Sequence, residues 1–515
     1  MISRRRFVSR SVLAAGTAAG FPFIARSADA PATVGQKPER IIHMVADGMS
    51  LGTLTCADYL SHQLRQRGLT WIALANQPGV KQGLMNMRSL DSMVTDSSAA
   101  SSSWGSGSRV RNGVVNQLPS GKPLTTLYEL FSQAGWKRGL VTTTEITHAT
   151  PAGFAAATDS RGEGDEIAQQ YLERGVDVLL GGGSKFIDPA RRRDKRDLRA
   201  DFAAAGYHVM RTASDLASAP TSKRWIGTFS DSHLPYTLDQ ISDPRLMERV
   251  PVLAAMTGRA LEWLGRNDQF ILQVEGGRVD HGAHSCDAAA ALRDLIAFDE
   301  ALDVVLAFQK RHPNTLVVIT TDHGNGNMGV NGSGDGYRDS SRKFKQLAGI
   351  KASFSGILRE LRRPRPTVSV HDPERSSASG ERPPGDFVPE IKHIQEVVAE
   401  LTGYAVPDRK AGLFQAYLAK KGAPVYDAMN SDVVQLGQLL ANHISVGWTS
   451  NAHTSDYVPV TAFGPGCERF SGFIQNVDVF RHYTDLANID FRNPEEPLMA
   501  SHPIRGGEEA IQEYA

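Results

Sequence analysis

Cysteine is scarce in this 515-residue chain: Cys56, Cys286 and Cys467 are the only three. That is too few for a disulfide framework, and none has a Cys-x-x-Cys partner of the kind a thiolate metal site needs, so the thiols read as packing residues. An excess of charge is missing too. Lys+Arg and Asp+Glu both number 56, giving a formal net charge of +0. This excludes the basic footprint of a nucleic-acid-binding surface, and any phosphate must be recognised in a local site. Beyond residue 30 no run of about 18 apolar residues occurs, so no membrane span is expected in the mature chain. The Gly-x-Ser-x-Gly elbow of acyl-transfer hydrolases is absent from the serine-rich stretch around Ser97.

What is present is ordinary in bulk and specific in detail. Hydrophobic residues make up 41% and charged residues 22%, values that argue against disorder, fibres and repeats. The length calls for several domains or one large α/β domain with insertions. Residues 1–30 read as a twin-arginine signal peptide: Ser3-Arg4-Arg5-Arg6-Phe7-Val8, an apolar stretch over 12–24, then Ala28-Asp29-Ala30. The mature protein is therefore expected to be periplasmic or secreted.

Apolar runs at 41–45, 139–143, 176–180, 270–274 and 315–320 alternate with helical patterns and predict buried strands. Leu292, Leu295, Ile296, Leu302, Val305 and Leu306 recur at helical spacing and predict a helix covering one sheet face. The fold expected is α/β and doubly wound, a mostly parallel central sheet with helices on both faces, spanning 31–485. Gly- and Pro-rich composition after Gly326 marks an insertion at about 331–447, with helical patterns at 391–401 and 411–418. A strand at 458–463 rejoins the sheet, and 486–515 reads as a loosely attached tail.

Acids and histidines gather where the predicted strands end. Asp47 follows 41–45, Glu275 follows 270–274, and Asp322-His323 follows 315–320. Open α/β sheets bind ligands outside the carboxyl ends of their strands, so these distant residues can share one crevice. Asp280 and His284, four residues apart, share a face if their segment is helical, and such a pair can chelate zinc. Asp322-His323 and the isolated His453 offer further donors. Aspartate and histidine without cysteine favour zinc or a similar ion in a catalytic setting. In Asp96-Ser97-Ser98-Ala99, Asp96 or Ser97 can serve as a helix cap. A serine hydroxyl there lacks a neighbouring histidine base, and a metal ion could activate it.

Taken in order, these segments resemble the alkaline phosphatase family from about residue 40 to about 478. The matching pieces are Asp47-Gly48-Met49, Thr95-Asp96-Ser97, Thr147-His148-Ala149-Thr150-Pro151-Ala152, the run 275–284, Thr321-Asp322-His323, Thr449 to Thr454 and Gly464-Pro465-Gly466. The resemblance implies hydrolysis of small phosphate monoesters through a phosphoserine at Ser97. It also implies that Asp280, His284 and His453 hold one zinc ion, and that Asp47, Asp322 and His323 hold a second, bridged by Ser97. Glu275, Thr150 and Asp47 would hold magnesium, with His148 a ligand or acting through water. Arg161, eleven residues after Thr150, would grip phosphoryl oxygens. His148 and His281 stand where some relatives carry aspartate and lysine, which places His281 near the substrate and makes magnesium affinity and pH behaviour differ. The family is commonly dimeric, so a homodimer is an open expectation. The rivals are a phosphodiesterase or sulfatase of the same superfamily and a non-catalytic phosphate- or metal-binding protein. Glu275, Thr150 and Arg161 fit monoesters, and no Cys/Ser-x-Pro-x-Arg segment occurs near Ser97.

Overall fold

The apolar runs lie side by side as strands in a computed structural model that describes residues 37–363 and 388–498, all within the compact unit Val34–Ala515. In chain order the strands are β1 (Arg40–Val45), β2 (Lys81–Asn86), β3 (Lys137–Glu145), β4 (Val178–Gly182), β5 (Tyr207–Met210), β6 (Arg224–Thr228), β7 (Phe270–Glu275), β8 (Thr315–Thr320), β9 (Gly324–Asn325), β10 (Gly329–Val330), β11 (Val446–Gly447), β12 (His453–Thr454), β13 (Val458–Phe463) and β14 (Gly472–Gln475). Ten of them form one sheet in the order β14-β2-β13-β8-β1-β7-β3-β4-β6-β5. Every pairing is parallel except those of β13, which runs antiparallel to both β8 and β2. The sheet is thus mixed but mostly parallel.

Helices cover both faces, which is why the central strands are apolar on both sides. In β1, Ile42 and Met44 join one core and Ile41 and Val45 the other. The helix Ala288–Arg311 buries Leu292, Leu295, Ile296, Leu302 and Val305 on the first face. On the second face the helix Ser97–Ser106 is buried at all ten positions. Its small residues have a packing reason: a Cβ at Gly105 would stand 1.8 Å from the carbonyl oxygen of Gly153, in the neighbouring helix Ala149–Ala155. The serine hydroxyls inside it bond to backbone carbonyls, Ser103 to Ala99, Ser106 to Ser102 and Ser101 to Thr150.

The segment between β10 and β11 leaves and returns through an antiparallel pair, Gly329 opposite Gly447 and Val330 opposite Val446. Its helices Phe354–Leu361, Ile391–Thr402, Asp408–Leu418 and Asp432–Ile444 enclose a separate core that includes Ile357, Ile394, Val398, Phe414 and Leu440. Past Asn488, where a loose tail was expected, Asn493 donates to the carbonyls of Ser106 (2.9 Å) and Thr125 (2.8 Å), and the Ser108 hydroxyl donates to that of Pro494 (2.7 Å). The twin-arginine reading of 1–30 and the last part of the expected tail lie outside the described residues. Among the described residues no helix is long and apolar enough to cross a membrane. Cys56, Cys286 and Cys467 are buried free thiols.

Candidate functional site

The carboxyl ends of β1, β3, β7 and β8 are neighbours in the sheet, and the residues that follow them converge. Asp47 lies just past β1, Glu275 ends β7, and Asp322 and His323 lie just past β8. His148 stands at the N-cap position of the helix Ala149–Ala155. Asp280 and His284 share a face of the helix Arg278–His284, as their spacing predicts. His453 arrives on β12, paired opposite Asn325 of β9. Gly48 permits this convergence. Its φ of 69° is left-handed, and a Cβ there would stand 2.3 Å from Oδ1 of Asp280.

Three groups of possible metal-binding atoms result, each with its atoms within 4.8 Å of one another: Asp280, His284 and His453; Asp47, Asp322 and His323; and Asp47, His148 and Glu275. In the first, Nε2 of His284 lies 3.2 Å from Asp280 Oδ2 and 3.1 Å from Nε2 of His453. Nδ1 of His284 faces the carbonyl of Asn451 at 2.6 Å, and Nδ1 of His453 faces that of Thr95 at 2.9 Å. A carbonyl only accepts, so both rings carry hydrogen on Nδ1, and each Nε2, turned inward, is the nitrogen that a cation would take. In the second group Nε2 of His323 lies 3.0 Å from Asp322 Oδ2 and 3.6 Å from Asp47 Oδ1. The Ser97 hydroxyl lies 3.1 Å from the same nitrogen. In the third, Thr142 donates to Glu275 Oε2 (2.5 Å) and Thr150 to Asp47 Oδ2 (3.5 Å).

These residues fit bound cations. Asp47, Glu275, Asp280 and Asp322 are at most 4% exposed, and burying four carboxylates together is costly without compensating positive charge. Asp47 Oδ1, Asp322 Oδ2 and Glu275 Oε1 are buried with no hydrogen-bond partner. Burial, and then the charges of Asp322, Asp280 and Glu275, push the Asp47 carboxyl well above the usual range. Burial opposes ionisation of Asp280 as well, but His284 and then His453 hold it well below that range. Close-set inward imidazole nitrogens and orphaned carboxylate oxygens are the environment a divalent ion satisfies.

Arg161 lies beside these groups. It donates to Asp96 Oδ2 (3.2 Å) and to Nε2 of His148 (3.2 Å). Accepting there leaves neutral His148 with its proton on Nδ1, which points toward Glu275 Oε1 at 3.8 Å. Asp96 caps the serine helix through Ala99 N (2.8 Å) and also accepts from Gly113 N (2.8 Å) and the Ser98 hydroxyl (2.7 Å). Burial raises its carboxyl, yet Arg161 and these bonds hold it below the ordinary value. Ser98 is thereby engaged, whereas Ser97 faces His323. His281 lies one ring away from His148, with centroids 5.5 Å apart.

Three contributors carried no readable signal. Asn325 donates to Asp280 Oδ1 at 2.7 Å, from a two-residue strand that no periodicity marks. The Asp96 contact with Arg161 spans 65 residues of sequence. His233, in the loop after β6, packs against His281 with centroids 4.4 Å apart.

Known proteins share this arrangement of fold and sequence. The family model for alkaline phosphatase matches residues 39–489. Alkaline phosphatase 4 of Bacillus subtilis is 29% identical over 499 residues, covering 94% of each chain. Streptomycin-6-phosphate phosphatase of Streptomyces griseus is 31% identical over 341 residues, covering 56% of this chain and 71% of that one. The crystal structure of Thermus thermophilus alkaline phosphatase superposes with a TM-score of 0.79 at 33% identity, covering 90% of this chain and 94% of that chain. With a match over most of its length and a mostly parallel sheet whose strand ends gather three metal-binding groups, the chain belongs to the alkaline phosphatase family of phosphomonoesterases.

Proposed function

We propose that this protein hydrolyses small phosphate monoesters to an alcohol and inorganic phosphate through a phosphoserine at Ser97, with two zinc ions and one magnesium ion as cofactors. The observation that carries the reading is the Ser97 hydroxyl, 1% exposed and 3.1 Å from a nitrogen of the Asp47, Asp322 and His323 group. Asp280, His284 and His453 would hold one zinc, and Asp47, Asp322 and His323 with Ser97 the other, since aspartate and histidine without thiolate suit catalytic zinc. Glu275, Thr150 and Asp47 offer the oxygens that magnesium prefers, and His148 turns a proton rather than a lone pair toward them. When bound, such ions lower the pKa of a hydroxyl or water and neutralise charge on the leaving oxygen.

The chain's own residues supply the rest. Ser97 opens a ten-residue helix, whose N-terminus favours negative charge. Its Oγ attacks phosphorus, the ester oxygen departs as alcohol, and water then cleaves the serine phosphate to regenerate the hydroxyl. Arg161, fixed by Asp96 and His148, orients and neutralises equatorial phosphoryl oxygens. Ser98, held on Asp96, stays out of the attack.

A chromogenic phosphate monoester, the matching diester and a sulfate ester test the proposal, with and without chelator. The monoester should be turned over fastest, chelation should abolish turnover, and Ser97→Ala should lower kcat by about 10⁴-fold or more. Faster diester turnover would make the protein a phosphodiesterase. Tight phosphate binding without turnover of any ester would make it a binding protein. The twin-arginine segment supports export to the periplasm or medium, which fractionation of expressing cells checks. Sedimentation of the purified protein checks the homodimer that the family resemblance implies.

A further inference from the structure

Resting on the monoesterase reading, we propose that His233 and His281 form a subsite, backed by Arg278, for a second anionic group on the substrate's alcohol, so that doubly acidic monoesters are preferred. His233 leaves the β6 strand end in the loop before Tyr236, and its Nδ1 accepts the backbone N–H of Glu145 at 3.2 Å. His281 accepts from Arg278 Nη1 on its own Nδ1 at 2.6 Å. A neutral imidazole with Nδ1 accepting carries its hydrogen on Nε2. Both rings therefore present Nε2–H donors, and neither nitrogen is spent on a protein acceptor among the described residues.

Arg278 brings positive charge beside both rings. The Arg278 guanidinium contacts the Tyr236 ring, with Cζ 3.8 Å from its centroid, and its Nε is buried without a partner. No carboxylate among the described residues lies within ion-pair distance of it. Burial and then the charges of His148, Arg278, Lys185 and Arg161 push His233 down to about 2. Lys185 is spent on Glu145 at 2.5 Å and Arg161 on Asp96, which leaves Arg278 as the cation of this set without an ion pair among the described residues. An anionic oxygen is what two N–H donors in this field lack. The two rings border the phosphoryl site, where a group beyond the ester oxygen can reach them. The His233 and His281 rings lie 5.6 and 5.5 Å from that of His148, whose far nitrogen already meets the phosphoryl-binding Arg161.

Glycerol 2-phosphate and 2-phosphoglycerate, which differ by a hydroxymethyl group against a carboxylate, test the subsite through the ratio of their kcat/KM values. The wild type should favour 2-phosphoglycerate by about tenfold, the worth of one charge-assisted hydrogen bond. His233→Ala should bring the ratio close to one, and His233→Gln, which returns an amide N–H near the place of Nε2, should restore most of it. A wild-type ratio at or below one would overturn the proposal. So would an equal loss on both esters in His233→Ala, which would make the ring a support for phosphoryl binding or for the fold. No turnover of either ester by the wild type would sink the monoesterase reading itself.

Discussion

Two sets of three histidines meet in this cleft with opposite hydrogen-bond partners. His284, His323 and His453 each face Asp280, Asp322 or Asp47 within 3.7 Å through Nε2. His148 and His281 instead accept from guanidinium groups, and His233 from a backbone N–H. The side chain is the same, but its hydrogen-bond partners decide whether it offers a lone pair to a cation or a proton to an anion. Sequence spacing cannot make that distinction. The partner of the second ring nitrogen does.

The sharpest way to break the comparison is to remove a lone pair from the cation-facing set. His453→Ala should lower kcat/KM by about 10³-fold and the zinc retained after gel filtration by one equivalent, a loss that supporting-residue changes do not reach. Next in size is the glycine that lets the sets approach. Gly48→Ala should cost about 3 kcal/mol in denaturant unfolding, because it combines a left-handed φ with a Cβ 2.3 Å from Asp280. On the anion-facing side, Arg161→Ala should raise KM and the inhibition constant of phosphate by roughly 30-fold. The stranded Asp96, 8% exposed in its side chain, should also cost about 1–3 kcal/mol of stability.

The smallest effect lies outside both sets. Burial pushes Asp294 up to about 7, with Arg278 and the Thr237 bonds opposing. Its folded form binds a proton that the unfolded chain, with the ordinary value of 3.8, releases. That contribution is present below pH 4 and is lost as pH climbs to about 7, so Asp294→Asn should flatten the decline by about 1–2 kcal/mol. Urea midpoints at pH 4 to 8 would measure it.

Much of the cation-facing set is legible in the sequence, because buried parallel strands are plain apolar runs and a residue directly after one must sit at its carboxyl end. Asp47, Glu275, Asp322 and His323 follow that rule. His453 does not, since β12 is two residues long: the sequence offers it as an isolated donor, and only the family resemblance assigns it to the Asp280 and His284 group. The strands β2, β5, β6 and β14 escape the same reading. Lys81-Gln82-Gly83 opens an edge-side strand that is half exposed, and Arg224 and His208 interrupt short runs near the other edge. His233 and Arg278 escape because their meaning is a three-dimensional contact between the β6 loop and the helix after β7.

The carboxylate of Asp47 serves two of the three groups at once, Oδ1 beside His323 and Oδ2 beside Thr150. A shared ligand makes the two groups a coupled pair rather than independent receptacles. A cation drawn to one oxygen withdraws charge from the other while fixing the carboxylate's rotation, and the balance of the two sets the sign of the cooperativity. Whatever that sign, thermodynamic reciprocity requires that the first group change the second group's affinity by the same factor as the second changes the first. Asp47 thus ties the metal loading of two groups together through a single side chain.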